Sequence, residues 1–238
     1  MPLSPRLLGI ALVTALIGMI AGCVVCYQFN FRAHEQPGFA KTHRGHLARL
    51  DRSSQPGRVV FLGSSTFQGL DVSSVTPFGL SLSLGGDTLP SMLMRASGYE
   101  SIKQARSVVI NIGLNDIIQN CAVPYGQVKR IVDLVPADIP VIILGVQEVV
   151  SSSNKFLWCD GRVNDLVAEL NREFERICLS EPRCRFVVHP VTTNRMLGAK
   201  DTFFDSDGVH LSPDGYKVLM ESLKKALAEM DSEAVSDE

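Results

Sequence analysis

The chain has 238 residues, 45% of them hydrophobic and 20% charged, with a formal net charge of −2. That length suits one full-sized domain with its own core, plus an appendage. The near-neutral charge removes any electrostatic reason to expect a nucleic-acid partner, and neither an internal repeat nor a basic run interleaved with aromatics occurs.

At the front, residues 7–27 form a run of 21 residues without a charge. At about 1.5 Å per residue it would span roughly 30 Å, the thickness of a bilayer core. An uncleaved signal-anchor helix over residues 1–28 is the favoured expectation, so one partner of the chain is a membrane. Ile20-Ala21-Gly22-Cys23 resembles a lipoprotein signal with Cys23 as the lipidated residue, but Val24-Val25-Cys26-Tyr27 continues the apolar run where such proteins turn polar. A cleaved secretory signal is a third reading. Arg6 precedes the run and Arg32, Lys41 and Arg44 follow it, so the positive-inside rule sets no orientation.

Residues 29–56 are polar and basic and read as a juxtamembrane linker, with a helix near 40–50. The main domain is expected over 57–229. Apolar strands are predicted at 58–62, 79–84, 107–112, 140–144 and 185–188, the second being the weakest. Near-continuous apolar runs of this kind suit strands buried on both faces of a parallel sheet. Helical periodicity covers 89–97, 125–134 and 163–178, the last with Val163, Leu166, Val167, Leu170, Phe174 and Ile177 on one stripe. Ser212-Pro213-Asp214 reads as an N-cap followed by proline at the first helical position, opening a helix to about residue 230. Residues 230–238 are acidic, lack an apolar face and are expected to fray. The alternation of strand and helix implies an α/β fold, a three-layer α/β/α sandwich with right-handed crossovers.

Four cysteines lie outside the apolar segment. Cys178 and Cys184 flank a helix end, while Cys121 and Cys159 both follow apolar strands. Pairing them as Cys121–Cys159 and Cys178–Cys184 would give two disulfides and an oxidising compartment; four free buried thiols is the competing reading. Beyond the apolar segment no CxxC…CxxC or His-rich spacing occurs, so no metal and no cofactor is expected.

In open α/β sheets ligands bind beyond the carboxyl ends of the strands. The first predicted strand ends in Gly63-Ser64-Ser65-Thr66, where a serine hydroxyl on a tight strand-to-helix turn would be exposed beside helix N–H groups. The second runs into Leu84-Gly85-Gly86-Asp87-Thr88, whose glycines let backbone N–H groups approach a substrate. The third runs into Gly113-Leu114-Asn115-Asp116; the Asn115 amide can donate to a developing negative charge without titrating, and Asp116 can instead serve as a helix cap. Near the C-terminus Asp207 and His210 lie three residues apart in a glycine-containing loop just before the last helix. Such a pair can orient an imidazole and use it to move a proton.

The ordered set Gly-x-Ser, Gly, Gly-x-Asn-Asp and Asp-x-x-His resembles the SGNH hydrolase family, also called GDSL esterases and lipases, over residues 58–228. The resemblance implies a parallel, flavodoxin-like five-stranded sheet and serine-dependent ester hydrolysis. It implies Ser65, Asp207 and His210 as the catalytic triad. The oxyanion hole would be the N–H groups of Ser65 and Gly86 and the side chain of Asn115. The first block departs from the family's usual Gly-Asp-Ser, having Ser64 in the middle, so the nucleophile is read as Ser65 with Ser64 as its rival. Gly86 is preferred over Gly85 because Gly86-Asp87-Thr88 fits the family's Gly-Asp-Thr block. The expected partner is a small ester, an O-acetylated envelope glycan or a lipid, handled by an exported, membrane-tethered domain. Lysophospholipase or short-chain lipase activity, O-acyl transfer with the same triad, and a non-catalytic SGNH-like binding protein are the competing functions. Trp158, the only tryptophan, stands in the loop after the fourth strand, either lining an acyl or sugar pocket or packing over Cys159.

Overall fold

The computed structural model describes residues 37–150, 158–192 and 201–236. The chain divides into two units, Met1–Gly45 and His46–Glu238. The described part of the first is the opening of helix α1 (Pro37–Ser53); the architecture below belongs to the second. The stretch read as a membrane anchor lies outside the described residues. Among the described residues no helix is long and apolar enough to cross a membrane.

Five strands form one sheet: β1 (Val59–Gly63), β2 (Gly79–Ser81), β3 (Ser107–Asn111), β4 (Val141–Leu144) and β5 (Cys184–Val187). They lie in the order β2-β1-β3-β4-β5 and every pairing is parallel, as the apolar runs predict. The second strand is shorter than expected, yet the N–H groups of Leu82 and Leu84 still bond to the Phe61 and Gly63 carbonyls of β1. Strand alternation sorts the core into two halves. Val60, Leu62, Val108, Ile110, Val141 and Ile143 face one way, with Leu47 of α1, α3 (Leu89–Ala96), α5 (Leu114–Asn120), α6 (Tyr125–Asp133) and α7 (Val163–Leu179). Val59, Phe61, Val109, Ile142 and Leu144 face the other way, with Phe67 of α2 (Ser65–Gln68) and Leu219, Leu223 and Leu227 of α8 (Pro213–Ser236).

Short helices α2, α4 (Glu100–Lys103) and α5 are present where the sequence shows no periodicity, because one or two turns cannot display a 3.6-residue repeat. The α1 helix is longer than the helix expected near 40–50. Its buried Asp51 accepts hydrogen bonds from the Ser101 hydroxyl at 2.6 Å and from the Ser101 and Glu100 N–H groups at 2.9 and 3.2 Å, capping α4 from a distance. The tail also differs from expectation. Helix α8 continues to Ser236, with Met230 packed on the second core half and Asp231 paired with Arg106 at 2.8 Å.

Both cysteine pairings form. Cys121 bonds Cys159 and Cys178 bonds Cys184.

For the site, the β1–β3 register matters most. Val59 sits opposite Ser107 and Gly63 opposite Asn111, so the two strands end level. From β1 the chain crosses to β2 on one side and later continues from β3 to β4 on the other. The crevice between β1 and β3 is therefore the topological switch point, where open α/β sheets bind ligands.

Candidate active site

At the end of β1 the backbone runs against β3. A Cβ on Gly63 would lie 2.4 Å from the Asn111 carbonyl oxygen, so only glycine fits there. The Ser64 N–H donates to that same carbonyl at 3.3 Å, which turns the chain into α2. Ser64 is buried and Ser65, the first residue of α2, is half-buried. The Ser65 hydroxyl lies 3.1 Å from Nε2 of His210. Of the two serines, Ser65 is the one whose hydroxyl meets the imidazole. As a first-turn residue Ser65 also has an N–H without an intrahelical partner.

His210 is supplied by a short hairpin. Phe204 bridges Leu211 antiparallel, and the Asp205 N–H donates to the His210 carbonyl at 2.8 Å. Gly208, at φ +67°, makes the turn, and its carbonyl accepts the Val150 N–H at 2.8 Å. Ser212 then caps α8, accepting the Gly215 N–H at 3.2 Å with Pro213 as the first helical residue, as the sequence predicts. The Asp207 Oδ2 lies 2.5 Å from Nδ1 of His210. Its Oδ1 accepts the Val209 and His210 N–H groups, both at 2.9 Å. Desolvation pushes the Asp207 carboxyl up, but the His210 and Val209 N–H groups and the His210 ring outweigh it and hold it at about 2. Asp207 is thus an anion near neutral pH, and its hold on Nδ1 turns Nε2 of His210 toward Ser65.

The Leu84-Gly85-Gly86-Asp87 turn is closed by the Asp87 N–H on the Leu84 carbonyl at 3.1 Å, with Gly86 at φ +81°. Positive φ at this third position is what a type II turn demands. The Gly85 N–H is committed to Oε1 of Gln68, which leaves Gly86 as the glycine donor of the turn. Asp87 anchors the turn from below. It is buried, takes the Ser91 hydroxyl at 2.8 Å and pairs with Arg95 at 2.7 Å, and Arg95 also donates to the Leu82 carbonyl at 2.6 Å.

At the end of β3, Gly113 stands at φ +118° with Leu170 pressed against it, a position closed to other residues. It starts α5, whose second residue is Asn115. One N–H of the Asn115 amide donates to the Asp87 carbonyl at 2.9 Å. The amide carries a second donor, and the side chain lines the cavity beside Ser65 and His210. The next residue, Asp116, does cap a helix, though not its own. Its buried carboxylate accepts the Leu89 N–H at the start of α3 at 2.9 Å. Desolvation raises the Asp116 carboxyl to about 6, with the nearby Asp87 charge adding to it and the Leu89 N–H opposing it.

The cavity beside Ser65 measures about 30 Å³ and is walled by Ile112, Leu114, Ile118, Val146 and Val209 with the polar Asn111 and Gln147. Gln147 is a residue the sequence reading missed. It is buried, and its Nε2 donates to the Thr66 hydroxyl at 3.2 Å and the Val209 carbonyl at 3.3 Å, joining the neighbour of Ser65 to the neighbour of His210. The rule that ligands gather at strand ends could have found it, since it follows β4 by three residues. Trp158 does not line this cavity. Among the described residues no three His, Cys, Asp or Glu side chains gather into a group able to hold a metal.

Comparison with known proteins places the fold and the family. The family model for GDSL-like Lipase/Acylhydrolase matches residues 30–223. No curated protein matches the chain significantly in sequence. Among solved structures, a protein provisionally called a platelet activating factor from Streptococcus pneumonia shares 18% identity at TM-score 0.70, covering 87% of this chain and 99% of that one. The C-terminal catalytic domain of the Streptococcus pneumoniae peptidoglycan O-acetyltransferase A shares 14% at TM-score 0.58, covering 75% and 97%. A mutant of an acetyl-xylooligosaccharide esterase from Geobacillus shares 15% at TM-score 0.56, covering 71% and 93%. At these identities the likeness is one of fold. The family match over most of the chain carries more, and the chain belongs to the GDSL-like lipase/acylhydrolase (SGNH) family of serine hydrolases acting on ester bonds.

Proposed function

We propose that the chain hydrolyses short-chain carboxylic esters, above all O-acetyl groups on envelope glycans, with Ser65 as nucleophile. The observation that carries this reading is the run Asp207–His210–Ser65, at 2.5 and 3.1 Å, opening on a cavity of only about 30 Å³. A single water occupies roughly 10–15 Å³ of such space, so the cavity is of a size to suit an acetyl group and offers little enclosed space to a long acyl chain.

Nε2 of His210 takes the Ser65 proton as Oγ attacks the acyl carbon. The carbonyl oxygen becomes an oxyanion and accepts hydrogen bonds from the Ser65 N–H, the Gly86 N–H and the Asn115 amide. Asp207 stabilises the imidazolium without taking its proton. The C–O bond to the alcohol breaks, the alcohol leaves with the proton from Nε2, and the acyl-enzyme remains. Water, deprotonated by Nε2, attacks the acyl carbon; the acid leaves and Ser65 regains its proton. The acetyl substrates named for two proteins of similar fold, a peptidoglycan O-acetyltransferase and an acetyl-xylooligosaccharide esterase, lend this reading support. The two disulfides support an oxidising compartment, and the apolar run over 7–27 supports a tether, so the domain would act at the outer face of a membrane.

The test is a screen of p-nitrophenyl esters by chain length beside O-acetylated glycans, with fluorophosphonate labelling of the intact chain. Acetyl esters are expected to be cleaved fastest, and Ser65→Ala to abolish both turnover and labelling while melting like the parent. Wild-type turnover by Ser65→Ala would falsify the assignment. Faster cleavage of lysophospholipid, or acetyl transfer to an added sugar in place of hydrolysis, would replace the substrate or the acceptor. An unlabelled, inactive wild type would make the cleft a binding site.

A further inference from the structure

We infer that Trp158 is the platform of a glycan subsite, on which a sugar ring of the leaving alcohol stacks. The inference deepens the reading of the chain as a glycan O-deacetylase and rests on it. Helix α5 carries Asn115, its second residue, at the Ser65 cavity and is followed at its other end by Cys121, whose disulfide partner Cys159 follows Trp158 directly. Six residues of helix rise about 9 Å. The Cys159 sulfur lies 3.5 Å from the Ile117 carbonyl, and the adjacent Ile118 is a wall of the Ser65 cavity. Trp158 is therefore tied covalently to the far end of the helix that forms one side of the acyl cavity. It does not line that cavity, and on this inference the alcohol half of the ester lies across the indole.

The joint is held in an unusual shape. Among the described residues the non-glycine residues at positive φ are Cys121 (51°), Cys159 (58°) and Asp160 (56°), and Gly161 continues at 75°. Two of the three are the partners of one disulfide, and the third directly follows it. Left-handed backbone at non-glycine residues costs about 1–3 kcal/mol each and persists where the surroundings impose it, most often at ligand sites. The indole that precedes this turn, the only one in the sequence, is 42% exposed. Tyr125, 49% exposed and four residues past Cys121, offers a second aromatic at the same end.

The neighbouring side chains select a sugar over a lipid. Asp160 and Arg162, two and four residues after Trp158, are exposed. They offer an acceptor and donors to ring hydroxyls, whereas an acyl tail laid on Trp158 would strip water from both without replacing it. An indole face with its negative quadrupole suits the polarised C–H face of a pyranose, and a fixed indole loses little entropy on stacking.

Because the chain has one tryptophan, indole emission reports this site alone. The full chain in detergent is titrated with a deacetylated oligosaccharide, and kinetics are measured on its O-acetylated form and on p-nitrophenyl acetate. Saturable change in indole emission is expected for the wild type and for Ser65→Ala. Trp158→Ala should raise KM for the acetylated oligosaccharide about tenfold, as loss of one aromatic stack predicts, and leave p-nitrophenyl acetate unchanged. Trp158→Phe should recover most of the loss, which excludes misfolding as its cause. An emission unmoved by oligosaccharide, or moved only by lysophospholipid, overturns the platform, as does an unchanged KM in Trp158→Ala. If the wild type cleaves p-nitrophenyl acetate and no acetylated glycan, the function proposed above fails, and the oligosaccharide titration still decides the platform.

Discussion

Ser64 and Ser65 are chemically identical neighbours, and only their surroundings separate them: one is buried against β3, the other is 3.1 Å from His210. Sequence narrows the hydroxyl to two atoms because both follow Gly63. The turn angle that aims one of them depends on the close approach of Gly63 to the Asn111 carbonyl, a contact across 48 residues that no local pattern shows. Asp116 makes the same point with an energetic consequence. Legible in the sequence as a helix cap, it caps α3 rather than its own helix, and does so in a buried place that raises its carboxyl to about 6. A raised carboxyl favours the protonated folded state. Its contribution is therefore fully present below about pH 4 and is lost as pH rises through about 6, a swing on the order of 3 kcal/mol. Asp116→Asn keeps an oxygen for the Leu89 N–H and removes the titration. The melting temperature of Asp116→Asn minus that of the parent should accordingly rise between pH 4 and pH 7; a difference that stays flat would show that Asp116 does not titrate in this window.

At the scale of elements, the long apolar strands and the α3, α6, α7 and α8 helices are where their periodicity puts them, because each has enough turns or pleats to display a repeat. The short α2 and α5 helices, which carry Ser65 and Asn115, are invisible to periodicity and legible only as motifs. Disulfides stabilise chiefly in proportion to the loop they close. Cys121–Cys159 spans 38 residues and Cys178–Cys184 spans 6, so the chain-entropy relation gives about 4 and about 2 kcal/mol respectively. Urea unfolding of the Cys121→Ala/Cys159→Ala and Cys178→Ala/Cys184→Ala double variants should reproduce that order. Equal losses would indicate that the long bridge closes a loop already ordered in the unfolded chain.

At the scale of the whole molecule, the second unit begins at His46, within the basic stretch that the sequence presents as linker. Leu47 is part of the core and Asp51 caps α4, so the end of α1 is a structural piece of the domain. Removing residues 1–36 should leave the melting temperature and ester turnover unchanged and, on the proposed tether, release the protein from membranes. Removing residues 1–54 empties the Leu47 site and strands the Ser101 and Glu100 N–H groups. The loss of roughly 3–5 kcal/mol should lower melting by about 10 °C. Equal stability of the two truncations would return α1 to the status of a tether. The sequence by itself determined the layered α/β architecture, the parallel sheet and the motif residues Ser65, Asn115, Asp207 and His210 that the structure gathers at the strand ends, because burial period, turn chemistry and motif order are local properties of the chain. Tertiary structure alone decided which serine faces His210, that Gly85 is spent on Gln68, that Asp116 serves α3, and that Gln147 links the two halves of the site. Each of these depends on the level ends of β1 and β3, and distance across a sheet has no signature in any one stretch of sequence.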